Sequence, residues 1–244
     1  MSLRDDIEPL CDAFLAGLQK ALGEKLRGIY LYGALTFPET THTGDIDFHV
    51  LLTEALSREE IDSVNALHAD LAQRFPPLGA ELDGYYLLLA EARGDTPPRH
   101  QLRPDLCDDA WALHCAHIRA GRCIVLCGPD PTTIYPEPST SAIAEALGGE
   151  LRYVAEHLSK YPDYCVLNLC RLIYSHRTGN VVVSKFGAAA WAIGKIPQWR
   201  ALIDTALTSY AGNATDEDRN AMIIRVPDFY RFALKHIEQS RSAN

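Results

Sequence analysis

The sequence predicts an α+β protein with two domains: a small mixed β-sheet flanked by helices, then an all-helical domain. In the first half, amphipathic helical segments alternate with short apolar runs at 28–32, 46–52, 81–90 and 122–128. Residues 128–141 hold four prolines and are the best linker in the chain. Beyond them helical periodicity dominates, so we expect domains at 1–133 and 141–244.

The helices are predicted from apolar spacing and from end signals. Apolar residues three and four apart mark a first helix over 7–26, and Ser57 with Glu60 forms a capping box for a second helix ending before Pro76. Ala110–Ala120 is also helical. In the second half we expect Ser184 and Thr215 to cap helices and Gly179 and Gly212 to end them. The helices predicted there are 141–157, 163–177, 184–193, 198–211 and 216–239, and 180–183 has a strand-like composition.

Composition excludes several classes of protein. No apolar run approaches the roughly 20 residues that span a bilayer, and the acidic first residues lack a signal-peptide pattern, so we expect a cytoplasmic protein without a membrane partner. A net charge of −9 argues against nucleic-acid binding but suits a small cationic substrate. The seven cysteines lie in apolar contexts without a C-x-x-C pair, which indicates reduced core thiols.

Two aspartates at the start of an apolar strand are the main functional signal. In Asp45-Ile46-Asp47-Phe48 the side chains alternate, so both carboxylates point to one face while the apolar residues point to a core. Paired carboxylates repel each other unless a cation lies between them. The pair therefore predicts a Mg²⁺ site, against the alternative of a solvated strand start.

A third carboxylate opens the next predicted strand, at Asp83. If that strand lies beside 46–52, Asp83 faces the pair, and Glu81, which has the same parity, is its rival for the third position. His49 also shares this parity and is a minor candidate for lining the site, although we expect it to be structural.

The pattern of an apolar strand, Gly33, a polar loop and Asp45-x-Asp47 resembles the fingerprint of the nucleotidyltransferase superfamily. The segments VLNLCRLIYSHRTG (166–179), SKFGAAAWA (184–192) and LCGPDP (126–131) resemble the streptomycin/spectinomycin adenylyltransferases with their C-terminal helical domain. The resemblance covers nearly the whole chain, in order. It implies a nucleotidyltransferase-like sheet domain and Mg²⁺-dependent transfer of AMP from ATP to an aminoglycoside hydroxyl, with the substrate in a cleft between the domains.

The resemblance also assigns residues. It implies that Asp45 and Asp47 hold Mg²⁺ and that Asp83 is both a metal ligand and the base. Nucleotide-binding positions fall on Gly33, Ala34, Arg171, Lys185 and Tyr210. For the acceptor, Asp163 is the nearest candidate, with Glu156 more distant.

Departures from the family pattern keep two alternatives open. Ala34 stands where the family has a serine whose hydroxyl helps hold the phosphates, and Gly44 replaces the serine before the first aspartate. A lost hydroxyl contact costs about 0.5–1.5 kcal/mol. The alternatives are a nucleotide-binding pseudoenzyme or sensor, and a nucleotidyltransferase with a non-aminoglycoside acceptor.

Overall fold

The computed structural model of the chain describes residues 5–40 and 44–243, and the predicted loop residues 41–43 lie outside that description. The chain folds into two compact units, Met1–Ile143 and Ala144–Asn244. The first contains a four-stranded mixed sheet with helices, and the described part of the second is helical. The predicted α+β fold class is confirmed. Among the described residues, no helix is long and apolar enough to cross a membrane.

The elements of the first unit follow the predicted order with shifted ends. β2 has the predicted bounds, whereas the strand predicted at 81–90 is shorter, because its last residues turn into the short helix α3. The elements are α1 (Glu8–Leu22), β1 (Leu26–Leu31), β2 (Ile46–Leu52), α2 (Arg58–Arg74), β3 (Leu82–Leu88), α3 (Leu89–Ala92), α4 (Trp111–Arg119) and β4 (Ile124–Cys127).

The sheet has the strand order β3-β2-β1-β4. β1 pairs antiparallel with both β2 and β4, whereas β2 and β3 run parallel, with Asp47 opposite Asp83. The prediction that the third strand lies beside the second is therefore confirmed.

The two faces of the sheet are covered by different helices. Ile46, Phe48 and Val50 of β2 belong to a core that includes apolar residues of α1 and α2. Leu51, on the other face, packs in a second core with Trp111 of α4. Since side chains alternate along a strand, Asp47 shares the α4 face of the sheet.

α2 begins with the predicted capping box. Ser57 Oγ accepts a hydrogen bond from the Glu60 N–H at 3.3 Å, and a Glu60 carboxylate oxygen accepts the Ser57 N–H at 2.6 Å. Lys25 adds an ion pair to Glu60 at 2.8 Å. These contacts satisfy amide groups that a helix start otherwise leaves without partners.

Ser57→Ala should lower the free energy of unfolding of the first unit by about 1 kcal/mol, because one of these amides loses its acceptor. Ser63→Ala in the same helix is the control. Its hydroxyl donates to the Glu59 carbonyl one turn back, which caps no helix end, so little change is expected there. Urea unfolding of both variants measures the difference, and equal stabilities would contradict the capping role.

The second unit is built around the buried helix α6, which packs against α7, α8 and α9. Ser184 and Thr215 accept the predicted capping hydrogen bonds, and Gly179 ends α6 with a φ of 71°. The strand-like composition of 180–183 does not give a strand. The helices of this half are α5 (Thr140–His157), α6 (Pro162–Thr178), α7 (Lys185–Lys195), α8 (Arg200–Tyr210) and α9 (Asp216–Ala243).

The seven cysteines are all free, as predicted, and four of them are buried. Burial raises the pKa of Cys11, Cys123 and Cys165 to about 12. These three thiols are therefore protonated at neutral pH and poor metal ligands.

Candidate functional site

The turn after β1 is shaped by Gly33. Its φ of +71° lies in the left-handed region that glycine tolerates, and a Cβ placed there would come within 1.8 Å of Asp47 Oδ2. The Tyr32 N–H donates to the Asp47 carbonyl at 3.0 Å, which joins the turn to β2. Only a residue without a side chain lets the Asp47 carboxylate lie against this backbone.

Further contacts hold the turn in place. Residues Gly33–Thr36 form a single 3₁₀ turn that contains the half-buried Ala34. Thr36 Oγ1 donates to the Gly33 carbonyl at 2.8 Å, and the Arg122 guanidinium donates to the Thr36 carbonyl at 3.2 Å. Arg122 also lies over the Phe37 ring at 4.7 Å. The turn is thus tied to the segment that leads into β4.

The parallel pairing of β2 and β3 aligns two of the predicted carboxylates. Asp47 and Asp83 are direct partners, and neighbouring strands lie about 4.8 Å apart. Asp45 directly precedes β2 and, like Asp83, is exposed, whereas Asp47 is half-buried. Carboxylate oxygens beside a turn that leaves room for no side chain fit the ligand chemistry of Mg²⁺.

Glu81, the alternative to Asp83 as third carboxylate, does not lie in the extended strand that was predicted to contain it. It lies before β3, with φ −91° and ψ 7° where it ends a 3₁₀ turn, and its carbonyl accepts the Ile46 N–H at 2.7 Å. Side-chain alternation requires extended backbone, so the parity that links Glu81 to Asp83 does not hold. Asp83 therefore stays the predicted third carboxylate.

A cluster of two histidines and an aspartate, which was not predicted from the sequence, lies on the α4 side of the sheet. Asp108 and His49 are buried, and His114 on α4 is partly exposed. Asp108 Oδ2 lies 2.8 Å from His114 Nδ1 and 3.3 Å from His49 Nε2. His49 is therefore enclosed and does not line an open cleft. Asp108 and His114 carried no spacing signal in the sequence, because a loop and a helix bring them to β2.

The charges of this cluster are coupled. Burial alone would raise the pKa of Asp108, but the charge on His114 and its hydrogen bond outweigh burial and hold that pKa well below its usual value. Burial lowers the pKa of His49, although Asp108 opposes the shift. The cluster accordingly contains an ionised Asp108 and a neutral His49 at pH 7.

The second unit brings Lys185 and Tyr210 together. Lys185 begins α7, and its Nζ donates to the Tyr210 hydroxyl at 2.8 Å. Nζ also lies 4.6 Å from the centre of the Tyr210 ring and 4.3 Å from that of Tyr164. Cation–π contacts of this kind hold an ammonium in place without neutralising it. Tyr164 was not among the predicted residues, although it lies seven residues before Arg171 on α6, a spacing that puts both on one face of the helix.

The other predicted residues of this unit are more scattered. Asp163, at the start of α6, accepts the Ser209 hydroxyl at 2.7 Å and the Tyr164 N–H at 2.8 Å. Arg171 is half-buried on the same helix, and Glu156 is exposed on α5. Asp163 is thus tied to α8, whereas Glu156 lies on another helix.

Residues 135–236 match the family described as aminoglycoside adenylyltransferase, C-terminal domain. The second unit therefore carries a domain similar to the C-terminal domain of aminoglycoside adenylyltransferases. The resemblance drawn from the segments at 166–179 and 184–192 is confirmed. Among curated proteins, none matches the chain.

A solved structure is similar to this chain over both units. It is the crystal structure of spectinomycin adenyltransferase AAD(9) from Enterococcus faecialis with ATP and spectinomycin. The TM-score is 0.68 at 17% sequence identity, over 91% of this chain and 98% of that one. At this identity the likeness establishes the fold alone: a mixed-sheet unit followed by a helical unit.

Proposed function

We propose that the protein is a Mg²⁺-dependent nucleotidyltransferase that moves AMP from ATP to a hydroxyl of a small cationic acceptor, an aminoglycoside. The observation that carries this proposal is the contact of the Asp47 carboxylate with Gly33, in a strand whose neighbour aligns Asp83 with Asp47. A carboxylate this close to a glycine turn could hold a metal beside backbone amides, and a triphosphate needs both.

Each carboxylate has a role in this proposal. Asp45 and Asp47 would hold Mg²⁺, with Asp83 as a further ligand. Bound Mg²⁺ supplies positive charge against the phosphoryl oxygens and the leaving pyrophosphate. Asp83 is an exposed residue of β3 and would accept the proton from the acceptor hydroxyl. The hydroxyl oxygen would at the same time bond to the α-phosphorus as pyrophosphate departs.

Nucleotide binding is assigned to Gly33 and Ala34 in the first unit and to Lys185, Tyr210 and Arg171 in the second. The Lys185 ammonium is positioned by two tyrosine rings and a hydroxyl, so little side-chain entropy remains to be lost when it meets a phosphate. The related AAD(9) structure contains ATP and spectinomycin, which supports ATP as the co-substrate.

The acceptor is proposed to be cationic because the chain carries a net charge of −9. Asp163 is the proposed acceptor-binding carboxylate. Its two oxygens each accept one hydrogen bond, and an ionised carboxylate has about four acceptor positions, so capacity for an ammonium group remains. This chemistry fits an amino sugar and an antibiotic-resistance role, and it involves neither nucleic acid nor membrane.

A pyrophosphate-release assay with ATP, Mg²⁺ and a panel of aminoglycosides including streptomycin and spectinomycin tests the proposal. Release should require an acceptor from the panel and should stop when Mg²⁺ is chelated. Acceptor-independent release, or none with any member of the panel while ATP still binds, would contradict it.

Lys185→Met should weaken ATP binding about 10- to 100-fold, because one charge-assisted contact to phosphate is lost. Lys195→Met, in the last turn of the same helix and exposed, is the matched control and should bind ATP normally. Titration calorimetry with ATP and Mg²⁺ measures both. Equal affinities in the two variants would remove Lys185 from the nucleotide site.

Ala34 supports a second candidate, a nucleotide-binding sensor without efficient transfer. The alanine offers no hydroxyl to the phosphates, while the glycine turn around it is intact. Such a protein would bind ATP with Mg²⁺ but release no pyrophosphate. Ala34→Ser separates the two candidates. In an active enzyme the substitution should change the rate of pyrophosphate release by about tenfold. In a sensor neither the wild-type protein nor the variant should release pyrophosphate.

A further inference from the structure

We propose that His49, Asp108 and His114 form a second metal site, selective for a divalent transition metal such as Zn²⁺ and separate from the carboxylate site. Their ligand atoms all lie within 4.8 Å of one another. The site would join β2 to α4 and to the segment before it, inside the first unit. It does not depend on the proposed transfer reaction.

The distances are close to those that a metal would impose. Zn–N bonds of about 2.0–2.1 Å and Zn–O bonds of about 2.0–2.2 Å in a tetrahedron place ligand atoms roughly 3.4 Å apart. His49 Nε2 and Asp108 Oδ2 are 3.3 Å apart, which already fits. His114 Nδ1 and the same oxygen are 2.8 Å apart, so that pair would open by about half an ångström.

The two ring nitrogens of His49 have surroundings that also suit a metal ligand. Its Nε2 is buried and, among the described residues, has no partner in hydrogen-bond geometry, although Asp108 Oδ2 is 3.3 Å away. Its other ring nitrogen, Nδ1, is 3.2 Å from the Tyr135 hydroxyl. In the tautomer whose Nδ1–H donates to Tyr135, the lone pair of Nε2 faces Asp108 Oδ2 and can bind a metal; in the other tautomer Nε2–H faces that oxygen and a metal would displace the proton.

The surroundings of His49 are those of a metal-binding histidine. Such residues commonly hold their second nitrogen with an outer hydrogen bond, as Tyr135 holds Nδ1 here. Rings of Tyr32, Trp111 and Tyr135 pack around the imidazole with centroids 4.4, 5.4 and 5.8 Å away. This enclosure fixes the direction of the ligand and limits the access of water.

The donor types determine which metal fits. Two imidazoles and one carboxylate suit Zn²⁺ and its first-row neighbours, whereas Mg²⁺ prefers oxygen ligands alone. Three protein ligands leave a fourth position for water or another small ligand. The His114 side chain is 24% exposed, so the entry path is on its side of the cluster.

The test is Zn²⁺ titration calorimetry on metal-stripped full-length protein with Mg²⁺ in excess. One equivalent of Zn²⁺ should bind to the wild-type chain. His114→Gln and His49→Gln should each weaken binding by at least about 100-fold, since losing only an outer partner costs 10- to 100-fold. Tyr135→Phe removes only the outer hydroxyl and should weaken it about tenfold. His157→Gln, in the second unit, should leave it unchanged.

Thermal unfolding and Co²⁺ spectroscopy complete the test. The thermal unfolding midpoint of each metal-free variant shows whether that variant folds. If the histidine variants do not fold, the Zn²⁺ affinity of the conservative variant Tyr135→Phe tests the site instead. Co²⁺ in place of Zn²⁺ should give visible bands of a nitrogen–oxygen site. Zinc affinity that is unchanged in the histidine variants, no stoichiometric uptake, or a thiolate charge-transfer band from the cysteines would each overturn the site.

Discussion

Asp47→Asn should lower kcat/KM by at least about 1000-fold, more than the 10²–10³ lost with a single transition-state hydrogen-bond donor. Asparagine keeps the shape that lies against Gly33 but removes the negative charge that would hold Mg²⁺. The fold should survive, because Asp47 is half-buried and its backbone contact to Tyr32 is unchanged.

Steady-state pyrophosphate release measures this loss. Asp62→Asn is the matched control, since Asp62 is an exposed residue of α2 whose ion pair, among the described residues, is with Arg58 four residues earlier. It should retain wild-type activity. An Asp47→Asn protein with activity within tenfold of wild type would show that the carboxylate does not hold a required metal.

Gly33→Ala should both destabilise the first unit and abolish transfer. The left-handed conformation costs a residue with a Cβ about 1–2 kcal/mol. The new methyl would in addition lie 1.8 Å from Asp47 Oδ2, so either the turn or the carboxylate has to move. Because the displaced group is the proposed metal ligand, activity should fall about as far as in Asp47→Asn.

Gly121→Ala separates these two effects. Gly121 is in the same unit with a φ of +80°, and a Cβ there would meet nothing within 4 Å. Only the conformational cost applies, so this variant should lose stability by about 1–2 kcal/mol and keep its activity. Urea unfolding and pyrophosphate release on both proteins give the comparison. If Gly33→Ala behaves like Gly121→Ala in both measurements, contact with Asp47 is irrelevant to function.

Local sequence patterns predicted the parts of the fold that local physics determines. The apolar run 46–52 predicted the bounds of β2, the alternation of Ile46, Asp47 and Phe48 predicted one buried face, and Ser57 with Glu60 marked the start of α2. A carboxylate near the start of the next apolar strand also suggested that Asp83 faces the pair if the two strands are neighbours, and the parallel register places it opposite Asp47. These features depend on neighbours along the chain or on one strand pair.

Features set by tertiary contacts could not be predicted in the same way. Glu81 ends a turn, so counting residues along an assumed strand misplaced it. Asp108 and His114 reach His49 only because α4 packs on the sheet, and nothing in their spacing indicates this. The roles of Asp45, Asp47, Asp83, Arg171, Lys185, Tyr210 and Asp163 remain predictions.

The most direct measurement of the central claim is the mass of the acceptor after incubation with the protein, ATP and Mg²⁺. Spectinomycin or streptomycin should gain one AMP group, with pyrophosphate released in equal amount, and the gain should vanish with Asp47→Asn but persist with Asp62→Asn. An acceptor of unchanged mass across the aminoglycoside panel, from a protein that binds ATP with Mg²⁺, would contradict adenylyl transfer to aminoglycosides.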